Sequence, residues 1–162
     1  MIETFLPTVV LRHRKENLKK CSLRGLETRP DFRFYTYPTQ TLPPLQNYFQ
    51  LSFDGPLLTK EDAHMGLFLI DATWLKAKKM AKTIDLPKRS LPGNIRTAYP
   101  RYQTDCDKPE RGLASIEAIF IAYQILGRST EGLLDTYLWK EDFLAQTEGL
   151  DGGVSSCRKT PR

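Results

Sequence analysis

The 162 residues suit one domain, or two small lobes sharing a core, and 40% hydrophobic with 27% charged residues is an ordinary globular composition. Lysine and arginine number 24 against 19 acidic residues, and the net charge of +5 with a pI of about 9.1 permits a polyanionic partner. Three classes are disfavoured: no apolar run nears the roughly 20 residues of a membrane span, no signal-peptide core opens the chain, and Cys21, Cys106 and Cys157 with His13 and His64 supply neither a disulfide framework nor metal-ligand spacing.

Residues 6–11 read as a first strand. A basic run follows, Arg12, His13, Arg14, Lys15, Lys19, Lys20 and Arg24, which suits either a solvated face or phosphate contacts. Residues 33–37 are extended and aromatic, and Pro38, Pro43 and Pro44 then impose a loop to about residue 46. Residues 48–53 form another strand, closed by the turn Asp54, Gly55, Pro56. Thr59 with Glu61 and Asp62 suits the first turn of a short helix, where acidic groups oppose the helix dipole. After Gly66, the apolar residues 67–70 read as a buried strand that ends at Asp71.

A helix over about 73–83 begins at once, with Trp74, Ala77 and Ala81 on one face and Lys76, Lys78, Lys79 and Lys82 mostly elsewhere. Residues 88–93 read as a loop, 94–102 as irregular with extended character, and 103–112 as a polar surface loop. Ser115 is an N-cap candidate for a helix carrying Ile116, Ile119, Phe120, Tyr123 and Leu126 at helical spacing, and Gly127 suits the left-handed residue after its end. A last helix is expected over 131–145, with Leu134, Leu138 and Leu144 among its apolar positions. From Gly149 the polar, glycine-rich tail lacks the apolar content to pack and is expected to be disordered.

Two features carry chemistry. The strand ending at Asp71 delivers a charge and, three residues on, the flat face of Trp74, where ligands of open α/β sheets collect. The helix starting near Ser115, after Leu113 and Ala114, offers backbone N–H groups suited to a carboxylate or phosphate. Asp71 has four open roles: helix cap, contact to a cofactor ammonium, contact to RNA, or base. Glu117 is either a structural partner of a buried donor or a ligand contact.

These residues resemble the aminocarboxypropyltransferases related to the SPOUT fold, a group including DTW-domain tRNA enzymes and enzymes acting on small-subunit ribosomal RNA. The family pattern Asp-x-Thr/Ser-Trp-x-x-Ala is matched by Asp71, Thr73, Trp74 and Ala77. Its Leu-Ser/Thr-x-Glu-Ala helix start is similar to Leu113, Ser115, Glu117 and Ala118, either with one inserted position or with Ala114 in the leucine slot. Between the two motifs lie Leu91, Pro92 and then Thr97, Ala98, Tyr99, Pro100, where Tyr99 replaces the asparagine of the ribosomal branch. Near the N-terminus Arg12, His13 and Lys20, Cys21, Ser22 resemble that branch too.

The resemblance implies transfer of the 3-amino-3-carboxypropyl group of S-adenosylmethionine to N3 of a uridine-type base, releasing 5′-methylthioadenosine. Trp74 and Ala77 are then the wall against the methyl and ribose, Ser115 with helix-terminal amides receives the methionine carboxylate, and Ser22 assists there. Residues 91–98, centred on Ile95, contact adenosine, with Leu45, Leu91 and Ala114 completing the cofactor set and Asp71 the catalytic candidate. Arg12, Arg14, Lys15, Lys19 and Lys20 are the expected RNA contacts.

The expectation is an α/β protein with an N-terminal lobe over 1–66, a SPOUT-like, knotted, cofactor-binding half over 67–146 and a tail over 147–162. It is expected to act as a cytoplasmic monomer on ribosomal RNA, with neither metal nor membrane. The rivals are transfer to a tRNA uridine, a SPOUT methyltransferase, and a non-catalytic RNA-binding or ribosome-assembly protein.

Overall fold

Short, near-continuous apolar runs decide the architecture. The computed structural model describes residues 5–18, 21–98 and 113–147. Strands β1 (Thr8–His13), β2 (Phe32–Tyr37), β3 (Tyr48–Leu51), β4 (Gly66–Asp71) and β5 (Lys88–Arg89) form one parallel sheet in the order β2-β1-β4-β3-β5. Successive side chains of a strand point to opposite faces. Val9, Leu11, Tyr48 and Phe68 therefore pack with Met80 of helix α1 (Trp74–Ala81). Val10, Phe49, Leu67 and Leu69 pack on the other side with Ile116, Ile119 and Phe120 of helix α2 (Ser115–Leu126) and Phe143 of helix α3 (Lys140–Thr147). Both faces are covered, as all-parallel sheets require. Each fully buried side chain such as Phe49 or Phe68 contributes about 1.5–3 kcal/mol of hydrophobic stabilisation.

The topology also positions a crevice. β1 continues to β2 on one side of the sheet, whereas β4 continues through α1 to β5 on the other. The carboxyl ends of β1 and β4, paired through Arg12 and Asp71, thus flank the point where connections diverge. Open α/β sheets bind their ligands at such points.

Element boundaries moved where tertiary contacts outrank local pattern. The first strand runs over 8–13 rather than 6–11, because parallel pairing with β2 and β4 carries it through Arg12, whose charge is matched in the interior. Residues 88 and 89, expected in a loop, form β5 by pairing with Gln50 and Leu51, a backbone ladder that needs no apolar alternation. The short helix at Thr59 is a single 3₁₀ turn over Lys60–Asp62. Thr59 Oγ1 accepts from the Glu61 N–H, and Asp62 Oδ2 accepts from the Thr59 N–H.

Ala114, not Ser115, is the N-cap of α2, and Ser115 is its first helical residue. The capping hydroxyl comes from elsewhere in the chain: Ser22 Oγ accepts from the Ile116 N–H at 3.2 Å. Gly127 ends α2 in the left-handed region at φ 77°, as its place in the sequence predicts. The last helix covers 140–147 instead of 131–145, because Gly132 at φ +81° opens a run of turns that buries Leu133, Leu134 and Tyr137 and leaves Leu138 79% exposed. The loop expected over 103–112 and the tail from Gly149 lie outside the described residues.

Candidate functional site

Parallel register sets Arg12 of β1 directly across from Asp71 of β4, and both are buried. Arg12 Nε donates to Asp71 Oδ2 at 3.1 Å, and its Nη1 donates to Glu27 Oε2 at 3.1 Å. The guanidinium carbon lies 4.7 Å from the centre of the Phe34 ring. Cys21 Sγ donates to the same Asp71 oxygen at 3.0 Å. Burial, reinforced by the Asp71 charge, pushes the Cys21 thiol up to about 12, so it remains a proton donor at neutral pH. The second carboxylate oxygen, Oδ1, accepts from Ser115 Oγ at 3.2 Å. Asp71 therefore joins β1, the segment after it and the start of α2 in one polar knot beneath the surface.

Above this knot opens a cavity. Trp74 and Ala77 of α1, Leu91 and Ile95 of the segment after β5, and Ser115 and Ala118 of α2 line it. Five residues picked out from sequence, Trp74, Ala77, Leu91, Ile95 and Ser115, thus meet around one space. Three others stand behind its lining: Asp71 through Ser115, Ser22 through the Ile116 N–H, and Ala114 as the buried N-cap. Leu45 is not brought there, and packs against the cluster of Val9, Leu11 and Tyr48 on the α1 face of the sheet.

Sequence reading missed Phe53, which stacks on Trp74 with ring centres 5.0 Å apart and planes inclined by 20°. The signal was an aromatic residue at the carboxyl end of a strand immediately before the Asp54-Gly55 turn. It also left open the role of Glu117, which is fully buried. Glu117 Oε1 accepts from Thr97 Oγ1 at 2.6 Å and from the Ala114 N–H at 2.8 Å. Its Oε2 accepts from the Ala98 N–H and from the Tyr137 hydroxyl, both at 2.8 Å. Four donors around one carboxylate make Glu117 the clasp that pins the end of the 91–98 segment against α2.

The basic run divides. Arg12 belongs to the buried knot, whereas Arg14 and Lys15 are exposed and Lys19 and Lys20 lie outside the described residues, as does Tyr99. Slight burial and then the charges of Lys76, Arg14 and Lys15 hold the His13 imidazole below its ordinary value, so a cation of α1 joins this patch. Among the described residues no group of three His, Cys, Asp or Glu side chains is placed to hold a metal ion, and no helix is long and apolar enough to cross a membrane.

No protein-family model matches the chain, and no curated protein matches it. The fold is similar to that of the SAM-dependent rRNA:acp-transferase Tsr3 from Vulcanisaeta distributa, with a TM-score of 0.68 over 89% of this chain and 80% of that one. Sequence identity across the match is 23%, a likeness of fold.

Proposed function

We propose that the chain transfers the 3-amino-3-carboxypropyl group of S-adenosylmethionine to N3 of a uridine-type base, with ribosomal RNA as substrate. One observation carries the reading. Two segments 44 residues apart meet, with Ser115 Oγ 3.2 Å from Asp71 Oδ1 at the edge of a cavity walled by Trp74 and Ile95. Likeness of fold to a protein described as an rRNA acp-transferase supports it. On this reading residues 67–146 are a SPOUT-like, knotted half, residues 1–66 face the RNA, and the protein works in the cytoplasm as a monomer without metal.

The cavity fits the cofactor in chemistry: an apolar wall for a nucleoside and a methyl group, and a polar end at Ser115 and the first turn of α2. S-adenosylmethionine, when bound, would supply an electrophilic methylene carbon beside its sulfonium; the bond from that carbon to sulfur would break as the bond to N3 forms, 5′-methylthioadenosine would leave, and the N3 proton would pass to water. Trp74 and Ala77 shield the methyl side, and Leu91 and Ile95 lie against adenosine. Ser115 directs its hydroxyl hydrogen to Asp71, which leaves its oxygen lone pairs for an ammonium group. The methionine carboxylate then falls to the N-terminal end of α2, where the Ile116 N–H is already held by Ser22 Oγ and the Ser115 and Glu117 N–H groups remain. Asp71, with Arg12 and Cys21 on its other oxygen, acts as a positioning residue through Ser115. Selection of the methylene over the methyl carbon is mostly orientation, an effect worth several kcal/mol in well-aligned reactions.

Isotope labelling tests the assignment. With purified ribosomal RNA or tRNA as acceptor, label in the carboxypropyl chain of S-adenosylmethionine should enter ribosomal RNA, and methyl label should leave in the nucleoside product. Methyl label in RNA would make the protein a methyltransferase, and transfer to tRNA alone would move the substrate. Failure to bind S-adenosylmethionine in calorimetry would leave a non-catalytic RNA-binding protein.

A further inference from the structure

A second cavity, open to solvent, adjoins the first and shares Leu51, Ser52, Phe53, Ile70, Trp74 and Ala77 with it. Its remaining described walls differ in kind. They are Gln50 of β3, Lys88 of β5, Lys78 and Ala81 of α1, Lys82 just after it, and the exposed Asp54. Lys78 and Lys82 are four residues apart, hence neighbours on one helical face. The strand register sets Gln50 opposite Lys88. Three cations against one carboxylate make the chamber electropositive.

Gln50 is the second observation. It is 5% exposed and lines the chamber, and its side-chain oxygen has no hydrogen-bond partner among the described residues. Its backbone N–H is satisfied by the Pro87 carbonyl at 2.8 Å, so that donor makes no claim on the side-chain oxygen. Buried polar atoms without partners are rare, and one lining a cavity is a place for a ligand's donor. Phosphate oxygens satisfy lysines but donate nothing to Gln50. A ribonucleotide has both groups: phosphates and a 2′-hydroxyl that donates.

We propose that this second chamber receives the target nucleotide of a single-stranded RNA, with its phosphates on Lys78, Lys82 and Lys88 and its ribose 2′-hydroxyl on Gln50. The base then reaches the first cavity across the wall of Phe53 and Trp74. The inference rests on the transfer reading for the role of that base, and on the lysines and Gln50 for the site itself.

The test uses the full chain and fluorescence anisotropy with a short uridine-containing RNA oligonucleotide and its deoxyribose counterpart, and calorimetry for S-adenosylmethionine. The Lys82→Gln/Lys88→Gln double variant should lose about tenfold in RNA affinity and shallow the log affinity versus log salt slope by roughly 1.4, about 0.7 per phosphate contact on a single strand. Gln50→Leu should erase the preference for RNA over DNA while leaving DNA binding in place. Both variants should bind S-adenosylmethionine as the wild type does. Unchanged RNA affinity and salt slope in the lysine variant would overturn the proposal, as would a Gln50→Leu loss equal on RNA and DNA. Weakened S-adenosylmethionine binding by the lysine variant would instead make the chamber part of the cofactor site and overturn it too. Should Gln50→Leu fail to fold, Gln50→Asn, which keeps the amide but shortens its reach, reads the same RNA preference. RNA binding through these residues by a protein that binds no S-adenosylmethionine would uphold the site and sink the transfer reading.

Discussion

Trp74 and Ser115 face the same cavity, but their truncation should be read out differently. Trp74 contributes area, stacked on Phe53 at 5.0 Å. Trp74→Ala should weaken S-adenosylmethionine binding by about 1–3 kcal/mol, the scale of one large apolar wall, in a protein that still melts cooperatively. Unaltered affinity in the folded variant would make Trp74 a core residue only. Ser115 contributes one oxygen. Because the capping hydroxyl of α2 comes from Ser22, Ser115→Ala leaves the cap in place, but it takes a donor from the buried Asp71 Oδ1; it should cost about 1–3 kcal/mol of stability and lower S-adenosylmethionine affinity by about 0.5–1.5 kcal/mol, one net hydrogen bond. Binding of 5′-methylthioadenosine, which lacks the amino-acid end, should be unaffected; equal weakening of both ligands would show that Ser115 does not read that end. Cys21 offers a pH signature. Its thiol titrates at about 12 in the folded protein against an ordinary 9.0. The folded state therefore holds a proton that the unfolded chain has lost, and this contribution to stability is complete below pH 9 and disappears as pH rises toward 12. Burial acts on Tyr123 in the same direction, from 10.0 to about 12. Denaturant titrations of Cys21→Ser should show a shallower alkaline decline than the wild type; an identical decline would assign it to Tyr123 and other groups.

At the scale of elements, α2 organises the site more than its apolar face suggests. Its buried stripe of Ile116, Ile119, Phe120 and Tyr123 anchors it on the sheet. Its first turn holds Ser115 toward Asp71 and Glu117 toward Thr97 and Ala98. The 91–98 segment has no regular structure beyond β5, so its placement depends on this clasp. Glu117→Gln keeps the size but sets an NH₂ group against backbone and hydroxyl donors. It should cost about 2–3 kcal/mol of stability, the loss of hydrogen bonds to a charged acceptor, and should weaken S-adenosylmethionine binding through Leu91 and Ile95. Stability and affinity both at wild-type levels would show that the segment is held by other means.

At the scale of the whole molecule, two separate groups of cations bear on RNA. Arg14 and Lys15 follow β1 near Lys76, whereas Lys78, Lys82 and Lys88 surround the second chamber. If both guide RNA, neutralising Arg14 and Lys15 together with Lys19 and Lys20 should reduce affinity for long and short RNA alike, with a shallower salt dependence and no loss of cofactor binding. A salt slope equal to that of the wild type would make the N-terminal run a solvated face.

Much of the architecture was legible in the linear chain. The run after Gly66 announced a buried strand, its two neighbours in the sheet were readable as strands, and the helical spacing after Ser115 with Gly127 beyond it described α2 within a residue. Those features are local: a short apolar run, helical periodicity and a left-handed stop depend on neighbours in sequence. Which face each residue serves was not local. Arg12 reads as one more surface cation until parallel register sets it against Asp71. Leu45 reads as a pocket residue until the sheet separates it from Ile95, and Ser115 reads as a cap until Ser22 supplies the hydroxyl to Ile116, 94 residues away. Chemistry-bearing residue types and their spacing come from the chain itself. The pairing of charges, the choice of cap and the residues that share a cavity come only from tertiary structure, because each depends on groups distant in sequence meeting at hydrogen-bond range.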